Sequence, residues 1–158
     1  MAQTFSNAAR DTIAAIVEAA LARNLSISVA VVDGSGFLVA ALRMDGAGFL
    51  TPQIAEAKAF TAAAWGQPTA VVAERARNAP ETFQAFIGIG RTKVVPGKGG
   101  LPLRVGGRTA GAIGVSGASA DQDEDLAAIG LDAFAACLGS AEAPTNDDVP
   151  YRGPRHDS

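Results

Sequence analysis

Residues 25–32, Leu-Ser-Ile-Ser-Val-Ala-Val-Val, form a largely apolar run rich in β-branched side chains, which fits a strand buried on both faces. Asp33-Gly34-Ser35-Gly36 follows at once, and its glycines permit the positive backbone angles of a tight reversal. Residues 37–42 then read as the second strand of a hairpin, with Arg43 leaving at the strand end. A strand covered on both sides needs helices flanking its sheet, so this run constrains the layers of the fold.

Helical periodicity supplies those layers. Residues 6–23 place Ala9, Ile13, Ile16 and Ala20 on one face, and Asn24 can close the helix because asparagine tolerates the left-handed conformation. Residues 52–65 are alanine-rich, with Ile54, Lys58, Thr61 and Trp65 along one stripe and Ala55, Ala59 and Ala62 along another. A shorter helix is predicted over 69–77, whereas 81–90 reads as a turn-rich, partly apolar connection around Phe83, Phe86 and Ile87. Strands are predicted at 92–95, 101–105 and 109–116, the last two joined by the hairpin dipeptide Gly106-Gly107. A final helix opens on Ser119 with Gln122 three residues on, the spacing of a reciprocal cap, and its inward face is read as Leu126, Ile129, Ala133 and Cys137. The sum is an α+β chain with a five-stranded, largely antiparallel sheet flanked by helices.

A length of 158 residues with 48% hydrophobic content suits one domain, placed at 1–139. Residues 140–158 are polar and hold three prolines, which predicts a tail that is mobile or draped on a neighbouring subunit. A net charge of −3 removes the electrostatic basis for general nucleic-acid binding. No apolar run approaches the roughly twenty residues of a membrane span, and the N-terminus has no basic-then-apolar leader, so the expectation is a soluble, cytoplasmic protein without nucleic-acid or membrane partners. Cys137 is the only cysteine, which excludes an intrachain disulfide and a multi-cysteine metal site.

Chemistry concentrates where charge meets glycine. Arg43-Met44-Asp45-Gly46-Ala47 and Ala55-Glu56-Ala57-Lys58-Ala59 bring four charged groups close in sequence, in a chain whose charged fraction is 18%. As a site, Arg43 would clamp a carboxylate, Asp45 would position it or handle a proton, and Lys58 would act as cation or base. As structure, Arg43, Asp45, Glu56 and Lys58 would form an ion-pair network fixing the loop before the second helix. Gly99 and Gly100, with Gly114, let a ligand or another backbone approach; Gly114 shares a sheet face with Ser116, the pair placed at the pocket, while Gly111 faces the other side, and the candidate ligand-binding set is Arg43, Asp45, Glu56, Lys58, Gly99, Gly100, Gly114 and Ser116. The segment Gly97-Lys98-Gly99-Gly100 lacks the spacing of a nucleotide phosphate loop, and no serine–histidine–acid set or paired metal-ligating histidines are present.

Several ordered blocks add up to a family pattern: Ile27-Ser28-Val29-Ala30-Val31-Val32-Asp33 with Gly36, Arg43-Met44-Asp45-Gly46-Ala47, Ala57-Lys58-Ala59, Gly99-Gly100-Leu101-Pro102-Leu103, and Gly111-Ala112-Ile113-Gly114-Val115-Ser116-Gly117 followed by Gln122-Asp123-Glu124. In these the chain resembles the GlcG/HbpS family of haem-binding or haem-degrading domains, also found at the C-terminus of PduO-type corrinoid adenosyltransferases. The resemblance implies a profilin-like fold and a homo-oligomer reaching octamers. It implies an oligomeric protein binding haem, a corrinoid or a small anionic metabolite; the alternative is a cofactor-independent isomerase, lyase or hydrolase acting on an organic acid. His156 is the only histidine and lies in the tail; Met44, Lys58, Cys137 and Tyr151 are the other conceivable haem ligands. Cys137 reads more plainly as inert core and Met44 as a gap filler.

Overall fold

Two glycine-turned hairpins, laid side by side, make the sheet in the computed structural model, which describes residues 4–90 and 93–138. The elements run α1 (Phe5–Ala22), β1 (Ser28–Asp33), β2 (Leu38–Arg43), α2 (Thr51–Trp65), α3 (Thr69–Asn78), α4 (Pro80–Ile87), β3 (Gly100–Val105), β4 (Arg108–Ser116) and α5 (Ala120–Leu138). Strand order is β2-β1-β4-β3, antiparallel throughout, with β1 and β4 central. In the first turn the Asp33 carboxylate accepts from the Ser35 and Phe37 amides at 2.9 and 3.0 Å. In the second, Gly106 and Gly107 both take positive φ, the requirement of a two-residue hairpin with this twist.

Alternation along the strands sorts side chains into two layers. Val29, Val31, Leu101, Leu103, Ile113 and Val115 face α1 and α5, where Ile13, Ile16, Leu126 and Phe134 complete the main core. Val32 and Ala112 face α2 and meet Ala59 and Ala62. Gly111 and Gly114 do point to opposite sides: a Cβ on Gly111 would strike the Phe5 ring of α1, one on Gly114 the Ala55 carbonyl of α2. Asn24 takes the left-handed conformation (φ 54°) after α1, and Ser119 and Gln122 form the reciprocal cap at α5. No helix among the described residues is long and apolar enough to cross a membrane.

Three expectations are corrected. The sheet has four strands, not five: Thr92 lies outside the described residues, and Lys93, Val94 and Val95 form no strand. Val95 instead donates its amide to the Thr61 hydroxyl at 3.0 Å, and Val94 is buried against Val72 and Phe83, so these valines cover α2 and α4 rather than extend the sheet. Strand propensity reports a fit to half-buried surface, and here a helix supplies that surface. The connection at 81–90 contains α4, opened by Pro80 in its first turn, where a missing N–H costs nothing. On α5 the buried stripe is Asp123, Leu126, Ala127, Gly130 and Phe134; Ile129, Ala133 and Cys137 lie at its half-buried edge. The tail at 140–158 is outside the described residues.

Gly114→Ala tests the contact between α2 and the sheet. The added methyl must push back helix backbone, so the expected loss is roughly 1–3 kcal/mol in urea denaturation. Gly88→Ala, where nothing lies within 4 Å of the new Cβ, is the control. Equal midpoints for the two variants would refute the close-contact account.

Candidate functional site

The predicted residues divide between two places. Lys58, one turn beyond Ala55 on α2, sends its amine under the end of β4, where it donates to the Val115 carbonyl at 2.8 Å and to Asp123 Oδ2 at 2.9 Å. Both side chains are over nine-tenths buried. The second oxygen of Asp123 accepts from the Ala118 amide at 3.0 Å, so this carboxylate also holds the turn into α5. Glu124 reaches back to accept from the Gly99 amide at 2.6 Å, and Lys98 pairs with Asp121 on the surface, where that hydrogen bond and the carboxylate's charge raise the lysine pKa.

Gly99 and Gly100 lie in the same knot. A Cβ on Gly99 would come to 2.7 Å from the Val115 carbonyl and 3.0 Å from the Lys58 amine; one on Gly100 would meet Thr69 and the Lys58 carbonyl. At these two positions and at Gly114 the space a side chain would fill is taken by neighbouring protein atoms, chiefly backbone of α2 and β4 and the Thr69 side chain. Ser116 is also buried on this side, and its hydroxyl makes no hydrogen bond among the described residues.

Arg43 and Asp45 are not part of the knot. Both are exposed at the end of β2 and in the loop after it, and neither forms an ion pair with Glu56 or Lys58. The four-residue ion-pair network is therefore not formed; Lys58 found Asp123, sixty-five positions away, instead. Met44 is a core residue, whereas His156 and Tyr151 lie outside the described residues.

On the far side of α2 the chain builds a second feature. Phe60, Ala64 and Trp65 of α2, Phe86 of α4, and Ile89, Gly90 and Val94 line an open cleft of about 420 Å³. An adjoining cleft of about 310 Å³ shares Trp65 and Phe86 and adds Arg75, Asn78, Ala79, Thr82 and Phe83. The Trp65 ring sits 6.2 Å from Phe83 and 6.5 Å from Phe86, the latter edge-on. Exposed Phe86, Ile87 and Ile89 mark this rim as apolar surface facing solvent. Sequence reasoning missed these residues. The available signal was the density of aromatic and aliphatic side chains in 81–90, which became informative only once that segment was a helix lying across the end of α2.

The layout is thus a four-stranded sheet with α1 and α5 on one side and α2 on the other, and an apolar cleft behind α2. Residues 6–132 match the family described as haem degrading protein HbpS-like, and the chain belongs to that family. It is 33% identical over 132 residues to an uncharacterized 15.0 kDa protein from the dhaT-dhaS intergenic region of Citrobacter freundii, covering 83% of this chain and 92% of that one. Among solved structures it is similar to a double mutant of HbpS from Streptomyces reticuli (37% identity, 84% and 88% coverage, TM-score 0.74). It is similar also to PduOC in complex with haem (28% identity, 84% and 95% coverage, TM-score 0.75).

Removing one partner of a buried pair strands the other charge. Lys58→Met should cost roughly 3–5 kcal/mol in urea denaturation, and adding Asp123→Asn should recover most of it, since asparagine can still accept from the Ala118 amide. A loss under about 1 kcal/mol for the single variant would show that the pair does not lock the fold.

Proposed function

We propose that the chain binds a tetrapyrrole, haem in the first instance, on the apolar wall between α2 and α4. The observation that carries this reading is the aromatic and aliphatic lining of the cleft, where Phe86 and Ile89 stand open to solvent beside half-buried Phe60 and Trp65 and buried Val94. Its volume falls in the usual range for small-molecule sites, and a flat apolar macrocycle stacks on such a surface. The HbpS-like family match and the haem held by the PduOC relative support the same ligand class. A corrinoid carries amide groups around its ring, which this wall would bury without partners, and a small organic acid alone would leave the wall uncovered.

The lining residues fit the body of haem but not its iron. None of those described is a histidine, methionine, cysteine, lysine or tyrosine, so these residues hold the ring by burial, orient it and exclude water on one face. For an enzyme built on Lys58, the amine would first have to leave Val115 and Asp123, which favours binding over catalysis at that position.

Trp65 is the only tryptophan and lines both clefts, so its fluorescence reports occupancy directly. Haemin and metal-free protoporphyrin IX should quench it saturably with similar affinity, and Phe86→Ala should weaken both by about tenfold. Absence of saturable quenching, or binding indifferent to Phe86→Ala, would overturn the assignment.

We further propose that the chain self-associates through the edge strand β2 and the connection from it to α2, where Leu42 on the strand and Phe49 and Leu50 in the connection are exposed, Phe49 by 87%. Native mass spectrometry should show a homo-oligomer that Phe49→Asp shifts to smaller species. A monomeric wild-type protein would rule this out.

A further inference from the structure

We infer that Arg75 makes the cleft selective for ligands carrying a carboxylate, so that the bound tetrapyrrole is an acid held in one orientation. This rests on the tetrapyrrole reading above and adds the group that recognises its charged edge. The first cleft is lined by carbon-rich side chains; the second, which shares Trp65 and Phe86 with it, brings in Arg75, Asn78 and Thr82.

Arg75 stands in the last turn of α3, exposed, and its guanidinium makes no hydrogen bond or ion pair among the described residues. Neighbouring Glu74 and Glu81 form none with it. An arginine that is not tied to an internal carboxylate, at the mouth of an aromatic-walled cleft, keeps its paired donors for a carboxylate from outside. The side-chain amide of Asn78 offers a further donor on the same wall.

These two clefts therefore ask for different chemistry from opposite ends of one molecule. A ring stacked on Trp65 and Phe86 satisfies the first, and carboxylate arms along one edge of that ring reach the second. An apolar molecule without the arms would find the wall but not the cation. A small acid without the ring would find the cation but lose the stacking area that provides most of the attraction.

Trp65 quenching by protoporphyrin IX and by its dimethyl ester, both delivered from dimethyl sulfoxide, separates the two contributions. In the wild-type chain the ester should bind about tenfold more weakly than the acid, and in Arg75→Gln the two should bind alike at the weaker level. Arg77→Gln, on the same helix but outside both clefts, should keep the wild-type ratio. Equal affinity of acid and ester for the wild-type chain, or an unchanged ratio in Arg75→Gln, would overturn the role of Arg75 while leaving ring binding intact. Failure of both compounds to quench saturably would instead remove the tetrapyrrole reading beneath it.

Discussion

The backbone of α2 lies directly on the sheet, and the rest of the molecule is arranged around that contact. Gly114 leaves room for the Ala55 carbonyl and Ala59 amide, and Gly100 leaves room for Thr69 and the Lys58 carbonyl. Alanines at 55, 59 and 62 keep the helix from being lifted by its own side chains. With the helix this close, the stem of Lys58 can pass beneath the end of β4 and place its amine against Val115 and Asp123. The ion pair then ties α2 to the start of α5 across the sheet. Hydrophobic isosteres often stabilise as well as a buried pair; what this pair adds is a defined partner for each charge, one on α2 and one on α5.

That arrangement also produces the cleft. A helix pressed against the sheet through one alanine face must present its opposite face outward, and on α2 that face carries Phe60 and Ala64, with Trp65 at the helix end. The α3–α4 pair and the segment through Val94 cover part of this surface, forming a small satellite cluster of Val72, Phe83 and Val94. Coverage stops short of Phe86 and Ile89, which remain exposed. The cleft is thus the part of this surface that the described residues leave open. Its position beside the C-terminal turn of α3 places Arg75 at the rim.

Much of the framework was legible in the residues. Apolar runs with glycine turns marked both hairpins, helical periodicity marked α1, α2 and the start of α5, and the serine–glutamine spacing marked the α5 cap. The failures share a cause. Val94-Val95 looked like a strand because β-branched residues suit any half-buried flat surface, and the surface that took them was helical. The segment 81–90 looked like a connection because its apolar face has meaning only against Trp65 and Val72, which are distant in sequence.

By itself, the sequence determined the local matters: which segments turn, which alternate, which carry a small-residue face, and that Lys58, Gly99, Gly100 and Gly114 were unusual. Only the tertiary structure decided what those residues do. Lys58 lies near Arg43, Asp45 and Glu56 in the chain, yet its partner is Asp123, because a helix settled on a glycine-lined sheet brings positions 58 and 123 within 2.9 Å. Charge and glycine content record that a close or charged contact exists. Which contact it is depends on packing between elements far apart in sequence, and the same packing decides that the apolar cleft opens on the outer side of α2.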